Sequence, residues 1–283
     1  MKVKASVNGA ISLVNAIATW KGATLGIVAK VEAIVSTSEG KGIHLESDNQ
    51  NTSSRLVKKV VELSVPKREL EKNKIEIFLK SEIPTGYGLK SSSAISSVIS
   101  LACQKIFKPN FTDSLVLNAG IDASLATKVS MTGAFDDACA CYFGGIQVTD
   151  NKHRKIIKSD KTPTNLVAVV FVPKSRKRGN VKHLKSLESV FENAWNFAKN
   201  GDYWNAMILN GYATSAILNS DPKIISSLIE NGALGASVSG NGPSIAAIVK
   251  KDNSSKIKKV FSEHEGTTML AEINNRRAEV HEM

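Results

Sequence analysis

The sequence contains few of the side chains that build metal centres or disulfide frameworks. Its three cysteines, Cys103, Cys139 and Cys141, are an odd number that cannot all pair within one chain, and no two CxxC pairs occur at the spacing of a zinc site. The five histidines form no ligand pattern. We therefore expect free thiols that pack as small apolar residues, in a protein of the reducing cytoplasm.

Long hydrophobic runs are also absent. No uninterrupted apolar stretch reaches about 18 residues, so the sequence predicts no membrane-spanning helix and no membrane partner. Lys2 and Lys4 precede apolar residues, as in a signal peptide, but polar residues soon break the run. Those polar residues are Ser6, Asn8, Ser12 and Asn15. We therefore expect no secretory signal.

Three common nucleotide-binding signatures are missing. No G-x-x-x-x-G-K-[ST] string occurs, which excludes a P-loop NTPase. The string G-x-G-x-x-S at Gly86 lacks the third glycine of a dinucleotide fingerprint, and the H-R-D and D-F-G strings of protein kinases do not occur. If this chain binds a nucleotide, it therefore uses a different phosphate loop.

The composition is that of a globular protein with two domains. The chain has 283 residues, 42% hydrophobic and 22% charged, which is long for one domain at about 100–200 residues each. A hydrophilic stretch at 149–164 separates the first half from a strand–helix–strand–strand–helix–strand pattern. We predict an α+β fold with domains at 1–157 and 158–283.

The net charge of +11 indicates anionic partners, such as a nucleotide or an acidic metabolite. Lys and Arg are spread along the chain, with one denser run at 174–178. This run is either a solvated loop after a strand or a patch that attracts an anionic substrate, and the charge pattern leaves both interpretations open.

The segments around the first glycine-rich stretch predict local structure. Residues 84–90 form a loop, and 91–107 form a helix that begins with three serines, which are favourable caps. A second helix is predicted over 113–128. A turn at 132–133 is predicted to lead into 135–137, and 142–148 is predicted to return as a strand.

The string from Pro84 to Ala94 reads PTGYGLKSSSA. Its glycines let the backbone approach phosphate oxygens, and the start of the following helix attracts negative charge. Its serine hydroxyls can bind phosphate or magnesium. A Gly–Ser turn before a helix is also an ordinary cap, so the whole string is more specific than its parts.

The string resembles the ATP-binding motif of the GHMP kinases, P-x-G-x-G-L-x-S-S-x-A, at every fixed position. The resemblance implies ATP and magnesium as cofactors. It also implies an N-terminal domain like ribosomal protein S5 and a ferredoxin-like C-terminal domain. The residues that it assigns to ATP binding are Pro84, Thr85, Gly86, Tyr87, Gly88, Leu89, Lys90, Ser91, Ser92, Ser93 and Ala94.

Two further segments resemble the same family, in the family's order along the chain. Residues 235–244 resemble its C-terminal glycine-rich motif, which closes over nucleotide and substrate, and 5–27 resemble its N-terminal motif. The C-terminal loop so implied contains Ser239, Gly240, Asn241 and Gly242. Taken alone, that string is also a common β-turn between strands.

The resemblance also points to a catalytic carboxylate. Family members with a catalytic Asp carry it seven residues before the first glycine of a Gly-Gly-like turn, and counting back from Gly144 gives Asp137. Asp137 would accept the proton of the alcohol, with Asp136 as the fallback. An adjacent Asp pair is also common in a solvated turn. As magnesium ligands we expect Ser92 and Asp137.

Within the family, 132–138 and 15–18, with the Lys21–Gly22 step, resemble archaeal shikimate kinases. That resemblance implies a small-molecule kinase that phosphorylates the 3-hydroxyl of shikimate with ATP, on the pathway to chorismate and the aromatic amino acids. An Arg would suit the carboxylate of shikimate through its fork of donors. The candidates are Arg176, Arg178, Arg276 and Arg277.

Two family features have no match. Several members carry a Lys in the N-terminal motif that partners the Asp, but this segment reads Asn8-Gly9-Ala10. The Glu that binds magnesium in mevalonate kinase has no counterpart, and Ala126 lies near its expected place. We therefore expect Asp137 and the serines to carry more of the chemistry, or a differently built magnesium site.

Two alternative functions stay open. The first is a GHMP kinase for another alcohol, such as mevalonate or homoserine. The Asp-Asp-Ala string disfavours homoserine kinase, whose matching position is usually Asn. The second is a non-catalytic protein on the same scaffold that binds a metabolite or nucleic acid. The intact phosphate loop argues against it, so no nucleic-acid partner is expected. Oligomer formation is left open.

Overall fold

The chain begins with two long strands that form an antiparallel pair. In the computed structural model, which describes residues 1–283, β1 spans Lys2–Val14 and β2 spans Lys21–Glu39. Alternate residues at the start of β1, Val3, Ala5 and Val7, are buried, as expected for a strand with one face on the core. This pair is the centre of the first sheet.

The first sheet contains seven strands in a branched order. β11, β1, β2, β4 and β3 lie side by side, and the first part of β2 also pairs with β5, which pairs with β6. Its further strands are β3 (Gly42–Ser47), β4 (Asn73–Ser81), β5 (Ile146–Asp150), β6 (Lys155–Asp160) and β11 (Glu279–Glu282). All neighbours are antiparallel except β3 and β4.

Five helices belong to the first half of the chain. They are α1 (Ser54–Ser64), α2 (Lys67–Lys72), α3 (Ser91–Phe107), α4 (Asp113–Ala126) and α5 (Phe135–Phe143). Helix α3 is buried along most of its length and lies against β1 and β2. The predicted loop at 84–90 and helix at 91–107 are confirmed, and the helix predicted over 113–128 ends two residues early.

The strand predicted over 142–148 is wrong in its first four residues. Residues 135–143 form helix α5, and the strand begins only at Ile146. The buried residues Phe135, Ala138 and Cys139 already follow helical spacing. Gly144 (φ 71°) and Gly145 (φ 63°) then end the helix in the left-handed region, so the strand starts later than its apolar run suggested.

The second sheet is a four-stranded antiparallel layer in the order β10, β7, β9 and β8. These strands are β7 (Leu166–Pro173), β8 (Gly235–Val238), β9 (Ile245–Lys250) and β10 (Gly266–Glu272). The helices of this half are α6 (Glu188–Lys199), α7 (Tyr203–Leu218), α8 (Pro222–Glu230) and α9 (Ser254–Ser262). This half of the chain also contains short 3₁₀ helices at Val181–Leu187 and Lys251–Asn253.

Strand β7 is buried on both faces. Leu166, Ala168 and Val170 join the large core that continues from the first sheet, whereas Val167 and Val169 join a smaller core on the other face. The two sheets therefore share one continuous apolar core, and the halves of the chain are packed against each other.

The domain division at 157 and 158 stays a prediction. The first sheet continues to Asp160 in β6, and it takes up β11 from the end of the chain. None of the helices combines the length and the apolar character that crossing a membrane would require.

Candidate active site

The glycine-rich loop connects β4 to the start of α3. Gly86 and Gly88 both have φ 85°, in the left-handed region that favours glycine. At Gly88 a Cβ atom would lie only 2.0 Å from the backbone oxygen of Ser239, so a side chain there is excluded by the C-terminal loop. The first N–H groups of α3 have no acceptor within the helix and are available for an anion.

A cavity of about 380 Å³ opens at this helix start. It lies between the glycine-rich loop, the end of β1, the segment before α5 and the C-terminal loop. The predicted site residues that line it are Gly86, Gly88, Leu89, Lys90, Ser91, Ser92, Ser93, Asp136, Asp137, Gly240 and Asn241. The structure therefore brings together residues from all three motifs.

The other predicted ATP-binding residues do not line this cavity. Ala94 is fully buried in the core, and Thr85 accepts a hydrogen bond from the Asn49 amide (2.8 Å). Tyr87 lies beside a separate surface depression. Ser239, the first residue of the C-terminal loop, is fully buried.

An ion pair connects the glycine-rich loop to α5. The Lys90 ammonium lies 2.9 Å from Asp137 Oδ1, and the two side chains are 5% and 16% exposed. Lys90 also donates to Ser12 Oγ (2.7 Å). The N-terminal motif has no lysine to partner Asp137, and in the structure the lysine beside Asp137 comes from the glycine-rich loop.

Asp137 keeps one oxygen free. The Lys90 ammonium and the Thr24 hydroxyl (3.2 Å) both reach Oδ1, whereas Oδ2 has no hydrogen bond from the protein. Since Asp137 lines the cavity, Oδ2 is the atom that can accept a proton from a bound alcohol.

Asp136 is held behind Asp137 by buried polar groups. The Asn151 amide donates to its Oδ1 (2.7 Å), and the Thr24 hydroxyl lies 3.1 Å from its Oδ2. Gly22 makes room for it, because a Cβ there would lie 2.3 Å from Oδ2. Burial, reinforced by the negative charge of Asp137 and partly offset by Lys90, raises the pKa of Asp136 to about 6.

Ser12 joins the two glycine-rich loops. Its hydroxyl accepts from Lys90 and from the backbone N–H of Gly240 (3.1 Å), and its own N–H donates to Ser239 Oγ (3.2 Å). Ser239 in turn donates to the Gly88 carbonyl (2.9 Å). The C-terminal loop is thereby fixed against the phosphate loop.

The sequence reasoning missed the residues that orient the site: Ser12, Asn15, Thr24 and Asn151. The Asn15 side-chain amide donates to the Gly240 carbonyl (2.8 Å), and its backbone N–H donates to Asn210 Oδ1 (2.8 Å). The Asn210 amide in turn donates to Ser237 Oγ, so Asn15 belongs to a buried polar network. Polar residues inside apolar strands are one signal for them, and the resemblance at 15–18 is a second signal for Asn15, but neither indicates which groups these side chains contact.

The four candidate arginines occupy different places. Only Arg178 lines the cavity, where it donates to the carbonyls of Asn241 and Gly242. Arg176 stacks on the Tyr87 ring. Arg277 pairs with Asp113 and contacts Tyr142, far from the cavity lining, and Arg276 borders a separate depression beside it.

No cluster of three or more His, Cys, Asp or Glu side chains forms a metal site. Ser92 lines the cavity together with Asp137, so the two predicted magnesium ligands face the same space. All three cysteines are free and buried, and Cys139 and Cys141 lie in α5 rather than in a strand or turn.

Comparison with known proteins assigns the family. Residues 55–145 match the GHMP kinases N terminal domain, and 219–265 match the GHMP kinases C terminal domain. The chain is 36% identical to a shikimate kinase of Methanosarcina mazei over 94% of its own length and 92% of that protein. The chain belongs to the GHMP kinase family. A shikimate kinase of Pyrococcus furiosus is also 36% identical, over 90% of this chain and 94% of that one.

Solved structures of GHMP kinases share the fold. A homoserine kinase from Cytophaga hutchinsonii superposes with a TM-score of 0.75 at 18% identity, covering 99% of this chain and 97% of that one. The Methanococcus jannaschii mevalonate kinase gives 0.76 at 13% identity, covering 96% and 98%. These structures confirm the predicted α+β fold. The family match and the similar shikimate kinases make the protein a small-molecule kinase, of a family that uses ATP.

The buried Asp136 gives the stability a measurable pH dependence. Its pKa is higher in the folded chain than the ordinary value of 3.8, so the folded state binds more protons between about pH 4 and 6. The free energy of unfolding should therefore fall as the pH rises through this window, by up to ~3 kcal/mol from this group.

Asp136→Asn should remove this part of the pH dependence, as measured by urea unfolding between pH 4 and 7. Asp252→Asn, at an exposed position, is the control and should keep the wild-type slope. A variant at Asp136 that retains the wild-type slope would contradict the assignment.

Proposed function

We propose that this GHMP kinase transfers the terminal phosphoryl group of ATP to the 3-hydroxyl of shikimate and forms shikimate 3-phosphate and ADP. The observation that carries phosphoryl transfer to an alcohol is the Lys90–Asp137 pair, which lies beside the phosphate loop on the wall of a polar cavity. The choice of shikimate is supported by the similar proteins that bear the name shikimate kinase.

In the proposed reaction, the polyphosphate binds at the loop and the start of α3. Backbone N–H groups and the hydroxyls of Ser91, Ser92 and Ser93 face it. The alcohol oxygen attacks the terminal phosphorus, the bond to the ADP oxygen breaks, and the alcohol proton passes to Asp137 Oδ2. Lys90 holds Asp137 in place, and its ammonium faces the charge that develops on the transferred group.

Magnesium fits the donor set of the cavity. Mg²⁺ prefers hard oxygen ligands and often takes only one or two from the protein, with phosphates and water as the rest. The Ser92 hydroxyl and the Asp137 carboxylate provide such oxygens. The ion would neutralise the phosphate charge when bound. We also propose that the chain works in the cytoplasm, a setting in keeping with its three free thiols.

The substrate is tested by an ADP-release assay with magnesium-ATP and four alcohols in parallel: shikimate, homoserine, mevalonate and galactose. We expect release with shikimate alone, and phosphorus NMR of the product should place the phosphate on the 3-hydroxyl. ADP release with another alcohol would support phosphoryl transfer to an alcohol but would reject shikimate as the substrate. If no alcohol releases ADP, nucleotide titration decides whether the chain is a binding protein.

Replacement of the base should separate catalysis from binding. Asp137→Asn removes the proton acceptor and should lower kcat about 10²–10⁴-fold, while the Kd for ATP stays within about threefold. Steady-state kinetics and nucleotide titration measure the two effects. The control is Asp122→Asn, which removes a surface carboxylate paired with Arg154. A kcat near the wild-type value for Asp137→Asn would show that another group is the base.

A further inference from the structure

We propose that Arg178 binds the carboxylate of the substrate and thereby restricts this kinase to acidic alcohols. This inference rests on the proposed function, since it concerns the non-reacting end of the same substrate. A carboxylate that enters the cavity loses part of its hydration, and it needs a cation with directed donors in exchange.

The cations that line the cavity are Lys90 and Arg178. Lys90 is already paired with Asp137 and bound to Ser12, at the reacting end of the site. Arg178 has no acidic partner in the structure, and it borders the cavity from the segment that follows β7. It is therefore the cation whose charge remains available for an anionic ligand.

The hydrogen bonds of Arg178 orient its guanidinium. One terminal nitrogen, Nη1, donates to the carbonyls of Asn241 and Gly242, each at 3.1 Å. These two contacts hold one side of the planar group and leave the N–H groups of Nη2 and Nε unused. A guanidinium fixed in this way offers a fork of donors that matches the two oxygens of a carboxylate.

The hydrogen bonds from Arg178 to Asn241 and Gly242 connect the proposed carboxylate site to the loop that covers the phosphate-binding segment. Asn241 and Gly242 belong to the C-terminal loop, whose Gly240 N–H donates to Ser12 and whose Ser239 donates to Gly88. A carboxylate on Arg178 would therefore add a contact to the element that covers the phosphate loop. Ile17 and Val181 line the cavity as well and offer apolar surface to a carbon ring.

The test compares shikimate with its methyl ester, which keeps the hydroxyls and lacks the charge. Arg178→Met should lower kcat/KM for shikimate about 10- to 100-fold, because a hydrogen-bonded charge pair is lost. It should change kcat/KM for the ester by less than about threefold. Arg178→Lys should recover part of the loss for shikimate only. The Kd for ATP should stay within about threefold in each variant.

The matched control is Lys177→Met, which removes an equal charge from the adjacent position, exposed like Arg178 but outside the cavity lining, and should leave both substrates unaffected. Equal losses for acid and ester, or a kcat/KM for shikimate within threefold of wild type in Arg178→Met, would overturn the assignment and leave the proposed function intact. If the wild-type protein does not phosphorylate shikimate, both the proposed function and the assignment of Arg178 are overturned.

Discussion

The ion pair between Lys90 and Asp137 is the interaction on which the rest of the site depends. It joins the glycine-rich loop, at the start of α3, to Asp137 on α5, the proposed proton acceptor, with 2.9 Å between the Lys90 ammonium and Asp137 Oδ1. Ser12 holds the same ammonium and also binds Gly240 of the C-terminal loop. A single buried cation thus aligns the segments that must meet at the transferred phosphoryl group, and this alignment is what positioned catalysis requires.

The fold buries a second carboxylate, Asp136, beside Asp137, and burying a charged group costs free energy. Asp136 places a second carboxylate next to Asp137 in a buried position, where its pKa is raised. Asn151 and Thr24 satisfy its oxygens, and Gly22 leaves the space that it occupies. Both oxygens of Asp136 contact protein groups, although the Thr24 hydroxyl shares its one hydrogen with Asp137 Oδ1, whereas Asp137 Oδ2 has no hydrogen bond from the protein. The two neighbouring acids therefore have different environments.

Much of this could be predicted from the sequence, because the phosphate loop is a local feature. The string Pro84–Ala94 sets its own glycine conformations and helix start. The pattern of strands and helices indicated the α+β fold, and the count back from Gly144 indicated Asp137. Contacts between distant segments could not be predicted. Lys90 and Asp137 are 47 positions apart, and only the folded sheet brings them together. The strand predicted over 142–148 began too early because the apolar residues before Gly144 fit the spacing of a strand as well as that of a helix. In the structure these residues are the end of helix α5, and Gly144 follows its last residue.

We expect Lys90 and Asp137 to act as one unit in phosphoryl transfer. A double-mutant cycle on the single-turnover rate tests it most directly, with Lys90→Met, Asp137→Asn and the combined variant measured at saturating ATP and shikimate. If the pair acts as a unit, the combined variant should be no slower than the slower single variant, within about threefold. If the rate losses of the two single variants multiply in the combined variant, the residues contribute independently, and Lys90 and Asp137 do not act as one unit.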